Sequence, residues 1–283
     1  MKRFGLLIVA AGLLASACQS RGAVGIEPAP SGSRSPSGSP TPTQPSPTAT
    51  PTEPGRTHTF EAWFALDGKL FVTKRTEPFS AGVAQLALDG LVEGPTSAEA
   101  RAGVETALPR VVSADITDLA NGVATVQMGD EFSQASGETL RMRRAQVVFT
   151  LTQYSTIKRV QFASATGNIE GNPLRRASFN ALLPAILVES PLIGSRVSSP
   201  VTVSGTANVF EATVSLRILD ENGKEIARTF TTATCGTGCR GDYSVSVPFS
   251  VDRQQRGTVE VFESSAQDGS AINVVAIPVI LMP

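Results

Sequence analysis

The 283-residue chain has one histidine, one tryptophan, two tyrosines and three cysteines. A single histidine excludes His-based catalytic triads and most zinc sites, which draw on several imidazoles or thiolates. No run of about 18 apolar residues occurs, which excludes a polytopic helical membrane protein. Basic residues are not in excess, 24 Lys and Arg against 25 Asp and Glu, so the electrostatic footprint of a nucleic-acid binder is missing. What is present is 41% hydrophobic residues, enough for packed cores, with 19 Pro and 25 Gly spread unevenly along the chain.

The first residues read as an export address. Lys2 and Arg3 are followed by an apolar stretch, Phe4 to Leu14, too short to span a bilayer. Leu14-Ala15-Ser16-Ala17-Cys18 resembles a bacterial lipobox, with Ala15 where Leu is usual. That resemblance implies a signal peptide over 1–17, acylation of Cys18 and an extracytoplasmic protein lipid-anchored to the cell membrane. Residues 18–56 are rich in Pro, Ser and Thr and almost devoid of apolar side chains. Such a segment cannot offset its ordering entropy and is expected to be a disordered tether. With Cys18 lipidated, Cys235 and Cys239 remain, closing the short loop Cys235-Gly236-Thr237-Gly238-Cys239. A disulfide is expected there in an oxidising compartment. A zinc site would need a second ligand pair; no metal and no cofactor is expected.

Folding signals begin at Thr57. Phe60, Ala62, Phe64 and Leu66 alternate, and Asp67-Gly68 turns the chain into a second strand, predicting a hairpin. Ser80 is placed to cap a helix carrying Ala84, Ala87, Leu88 and Leu91 and ending at Gly94-Pro95. Thr96-x-x-Glu99 is a capping box for a second helix expected to reach about Leu108. Alternation over 112–116 and 124–128 around Asn121-Gly122 predicts another hairpin. A helix over 137–154 and a strand over 157–163 complete an α+β domain, 57–167, with helices expected on one side of a mostly antiparallel sheet. Residues 168–184 lack a pattern and read as a connector. From 185 to 283 the period is that of strands, about seven of them, as in an all-β immunoglobulin-like sandwich.

Residues 57 to about 167 resemble the GerMN domain of bacterial sporulation and spore-germination lipoproteins. The likeness rests on the first hairpin, Leu91-Val92-Glu93-Gly94-Pro95-Thr96, Asn121-Gly122-Val123-Ala124 and Gln146-Val147-Val148-Phe149. Residues 186–283 resemble the immunoglobulin-like domain that follows it in that family, through Ser199-Pro200-Val201, Gly205-Thr206-Ala207-Asn208 and Phe262-Glu263-Ser264. The resemblance implies a non-enzymatic envelope lipoprotein, with an assembly or scaffold role in sporulation, germination or envelope maintenance. GerMN units look similar to ring-building modules of secretion assemblies, implying self-association or envelope protein partners. The competing class is a monomeric module that binds cell-wall glycan or peptidoglycan. The resemblance transfers no functional residue.

Two patches stand out. Phe210-Glu211 and Phe262-Glu263 each set a carboxylate beside a Phe within a strand pattern, where Glu is unfavourable. They serve a loop hydrogen bond or an exposed edge, or form a shared binding patch. Arg141, Arg143 and Arg144 crowd one helix; they are a solvated face or a contact for anionic wall polymer or lipid head groups. Enzyme motifs fail on context. Ser155-Thr156-Ile157-Lys158 follows a helix where a Ser-x-x-Lys nucleophile opens one, and Cys239 has no histidine but His58 to activate it.

Overall fold

The computed structural model describes residues 55–283. The expected signal peptide, the lipidation at Cys18 and the tether up to residue 54 lie outside the described residues. The described residues belong to one compact unit.

Strands β1 (Thr57–Leu66) and β2 (Lys69–Pro78) form the first hairpin, in register from Thr57 opposite Pro78 to Leu66 opposite Lys69. Asp67 and Gly68, at φ 50° and 72°, make the two-residue turn that suits the twist of paired strands. Helix α1 (Val83–Glu93) buries Ala87, Leu88 and Leu91. Its N-cap is Gly82; the Ser80 hydroxyl accepts a hydrogen bond from the Gly82 amide instead, which corrects the capping expectation. Helix α2 (Ser97–Arg101) has the capping box of Thr96 and Glu99 but does not run to Leu108. Gly103 enters the left-handed region at φ 90°, and Glu105 then pairs with Ala65 through two 2.8 Å backbone bonds.

Strands β3 (Ala114–Ala120) and β4 (Val123–Met128) turn at Asn121-Gly122. After the short α3 (Asp130–Ser133), helix α4 (Gly137–Leu151) leads to β5 (Arg159–Ala163), which pairs parallel to β4. A parallel pair requires a crossover, and α4 provides it. The expected connector holds structure. Residues Ile169–Leu174 form β6, an edge strand antiparallel to β5, and Arg176–Leu182 form a 3-10 segment. An edge tolerates Pro173 and needs few apolar residues, so β6 has no alternation to betray it. The helices do not lie on one side of a single sheet. The hairpin is one sheet and β3-β4-β5-β6 another, and α4 contacts both. Accordingly Met142 and every residue from Ala145 to Leu151 are buried, all round the helix.

The C-terminal part is an all-β sandwich. Strands β7 (Ile186–Ser190), β9 (Val201–Ala207) and β12 (Gly241–Val247) form a three-stranded sheet. The second sheet runs β11 (Glu225–Thr232), β10 (Thr213–Leu219), β13 (Gln255–Ser264), β14 (Ala271–Leu281) and β8 (Arg196–Val197). Val214, Leu216 and Ile218 of β10 point inward and are fully buried, with Val259 and Val261 beside them. Strand β2 packs on β7, and the buried side chains of both parts form one continuous core.

Candidate functional site

The seam between the two domains is built outward from the free edge of β1. Along that edge the backbone groups not used by β2 are taken by side chains and a bridge. Gln153 accepts from the Glu61 amide and donates to its carbonyl, both at 2.8 Å. Thr150 accepts from the Trp63 amide at 3.1 Å, and Gln146 donates to the Trp63 carbonyl at 3.1 Å while accepting from the Ala107 amide at 2.9 Å. Ala65 is paired with Glu105. Buried backbone groups need such partners, so α4 and the turn that follows it act as the neighbour that a third strand would have been.

This edge presents Glu61 and Trp63 to a cavity of about 180 Å³. The opposite wall is Glu189 and Leu187 of β7, Thr206 of β9 and Arg240, which follows the Cys235–Cys239 disulfide. Arg176, Asn180 and Leu183, from the segment read as a connector, close it. The Arg176 guanidinium lies over the rings of Trp63 and Phe149, 5.2 and 4.9 Å from their centroids. Its Nε donates to Thr152 Oγ1 and its Nη2 to the Phe149 carbonyl, each at 2.9 Å. Arg240 donates from Nη1 to the carbonyl and hydroxyl of Thr206, each at 3.1 Å, and from Nη2 to the Pro184 carbonyl. Burial disfavours the charge of both guanidinium groups.

The carboxylates are held less fully. Glu61 Oε2 accepts from the Trp63 indole at 3.0 Å and lies 3.7 Å from Arg176. Among the described residues Glu189 has neither an ion pair nor a hydrogen bond. Burial first, and then the negative charge of Glu61, push the Glu189 carboxyl above its ordinary value, against the opposing positive charges of Lys74 and Arg176. A half-buried acid with that environment marks a site candidate rather than a packing group.

The residues singled out from the sequence fall elsewhere. Phe210–Ala212 is a 3-10 turn, not strand, with Glu211 and Ala212 at φ 52° and 57°. Glu263 accepts from the Phe210 amide at 2.8 Å and from Asn273 Nδ2 at 2.7 Å, so the two segments do meet, through a loop hydrogen bond. Phe262 is 2% exposed beneath Arg217 and Arg228 and lines no surface patch. The three arginines do not make one free basic patch. Arg143 is pinned to the carbonyls of Ala107, Glu131 and Phe132, Arg144 lies 3.5 Å from Glu170, and Arg141 lies 3.5 Å from Glu138. Glu61, Arg176, Glu189 and Arg240 drew no notice in the sequence. The one available signal was Glu189, a carboxylate ending the apolar run Ile186-Leu187-Val188.

Comparison with known proteins places both parts. The family model described as sporulation and spore germination matches residues 63–174, and that of the immunoglobulin-like domain of bacterial spore germination matches residues 185–270. No curated protein matches the chain significantly. Among solved structures it is similar to the first GerMN domain of the sporulation protein GerM from Bacillus subtilis. Identity is 24% over 42% of this chain and 98% of that one, with a TM-score of 0.34. It is also similar to the tandem GerMN domains of the same protein, at 15% identity over 70% of this chain and 63% of that one, with a TM-score of 0.36.

Proposed function

We propose, from the match of residues 63–174 to the sporulation and spore germination family model and of residues 185–270 to that of the immunoglobulin-like domain of bacterial spore germination, a non-enzymatic envelope lipoprotein that works as a binding module. It is held to the membrane by lipid at Cys18, with residues 19–56 as spacer. The ligand comes from the cell wall and is taken in the seam between the two domains. The observation that carries this reading is the cavity itself, to which both domains contribute polar walls and the first domain the aromatic rings of Trp63 and Phe149. Binding pockets favour such concave seams with a few convergent polar groups.

Co-sedimentation of the full chain with purified peptidoglycan tests the reading. Retention is expected for the natural protein and its loss for Asn180→Trp, which plugs the cavity from an exposed rim position. Equal retention of the variant overturns the seam as the site. A second reading, self-assembly, is favoured by Phe230, 67% exposed on β11 beside charges of both signs, Arg228 and Glu225. A second copy would suit such a self-complementary face, and light scattering across concentrations separates it from a monomeric binder.

A further inference from the structure

A second groove, of about 210 Å³, shares no residue with the seam cavity and lies where helix α2 of the first domain faces strands β13 and β14 of the second. Its only charged lining residues are Arg101 and Arg256, one from each domain, and no carboxylate lines it. Arg101 donates from Nε to the Ser97 carbonyl at 3.0 Å, and its Nη1 and Nη2 make no hydrogen bond among the described residues. Arg256 makes neither a hydrogen bond nor an ion pair among them. The acid of α2, Glu99, is engaged by Arg75.

The strand register extends this positive charge. Arg256 on β13 is opposite Ile280 on β14, and Ile280 is opposite Arg196 on β8, so the three side chains share one face of the sheet. Val279 and Leu281 point the other way and are buried, whereas Arg196 and Arg256 are exposed. Two strand spacings set these arginines about 10 Å apart. Arg196, like Arg256, has no hydrogen bond and no ion pair among the described residues.

We propose that the groove and the row beside it bind a strand of phosphodiester-linked polymer, one phosphate between Arg101 and Arg256 and the next reached by Arg196. The inference goes beyond the seam reading and does not depend on it. Guanidinium groups suit phosphate oxygens because their donors form a planar fork. Here they come from two walls, a helix and a sheet. A tetrahedral phosphodiester turns oxygens toward both walls, whereas a carboxylate holds its two oxygens in one plane. Ile193, Pro278 and Ile280 give the groove an apolar floor for the carbons between phosphates, and low polarity strengthens the ion pairs above it. A recess between two domains admits a strand and turns its arginines away from a planar membrane.

The test is calorimetric titration of the full chain with soluble poly(glycerol phosphate), with poly-glutamate as the carboxylate polymer and dextran as the neutral one. The phosphate polymer is expected to bind most tightly, and to bind less as salt is raised. Arg256→Gln is expected to weaken it about tenfold, the scale of one charged hydrogen bond, and Arg101→Gln with Arg256→Gln to abolish it. Arg253→Gln, which removes an arginine paired with Glu221 outside the groove, is expected to leave binding unchanged. Melting temperatures of the groove variants should match the natural protein, because neither side chain is buried. Equal binding by the double variant, equal loss in Arg253→Gln, or equal affinity for poly-glutamate or dextran would each overturn the proposal. Association with phosphatidylglycerol vesicles is expected to be the same for the natural protein and the double variant; an arginine-dependent difference there would replace the strand by a membrane surface. Asn180→Trp is expected to bind the phosphate polymer normally even where it loses peptidoglycan, so the groove and the seam fail or stand separately.

Discussion

Arg75 grips Glu99 at two points, Nη1 to Oε1 at 2.9 Å and Nη2 to Oε2 at 2.6 Å, and the Glu99 side chain is almost fully buried. The same carboxylate accepts from Thr73 Oγ1 at 2.6 Å and from the Thr96 amide at 2.7 Å, so the capping box of α2 is also the tie between that helix and β2. Burial raises the Glu99 carboxyl, and Arg75, Thr73 and Thr96 lower it by more, leaving it below its ordinary 4.5. Because the folded value is depressed, this contribution is complete above about pH 4.5 and is lost as pH falls through the folded value.

Glu99→Gln is therefore expected to destabilise the protein by about 3–5 kcal/mol at pH 7, as removal of one member of a buried pair does. Chemical denaturation at pH 7 and at pH 3 checks it. The gap between variant and natural protein should narrow on acidification.

Gln146→Leu keeps volume but strips the partners of the Trp63 carbonyl and the Ala107 amide. Two buried backbone groups left unpaired should cost about 2–5 kcal/mol. Hydrogen exchange at Ala107, followed with the melting temperature, locates the loss.

Gly205→Ala meets backbone. A Cβ there would lie 2.0 Å from the Leu187 carbonyl oxygen and 3.0 Å from the Tyr243 hydroxyl, which donates to that same oxygen at 3.1 Å. The close approach of β7, with Tyr243 crossing the bare glycine, explains why Gly205 is a glycine at a negative φ. Overpacking of this kind costs about 1–3 kcal/mol, and a further destabilisation is expected where Tyr243 loses its acceptor. Urea unfolding of the variant measures the sum.

Replacing Cys235 and Cys239 by Ser removes a cross-link closing a five-residue loop, worth about 2 kcal/mol on the chain-entropy estimate. The loop leads straight into Arg240, so the variant should also loosen the contact of Arg240 with Pro184 and Thr206. Thermal unfolding with and without reductant should show the natural protein falling to the level of the variant.

Cys18→Ala should abolish acylation, moving the protein from the detergent phase to the aqueous phase in a Triton X-114 partition. An unchanged partition would remove the lipid anchor from the proposed function.

The sequence determined what short-range chemistry determines. Asp67-Gly68 and Asn121-Gly122 set two hairpin turns because the left-handed backbone is a local property. Thr96 and Glu99 lie three residues apart, so their reciprocal cap was legible without any tertiary contact. Alternation in Val214, Leu216 and Ile218 marked a strand whose one face is buried, and two such domains were readable from the change of period near residue 185. Tertiary structure decided the rest. The burial of α4 on every side follows from sheets formed by residues before and after it in the chain, and no local pattern encodes a second cover. The purpose of Glu99 beyond its cap required Arg75, and the seam cavity required Glu61, Arg176, Glu189 and Arg240 from four distant segments. Charge compensation and desolvation are properties of that assembled space, and they exist only once long-range packing has closed it.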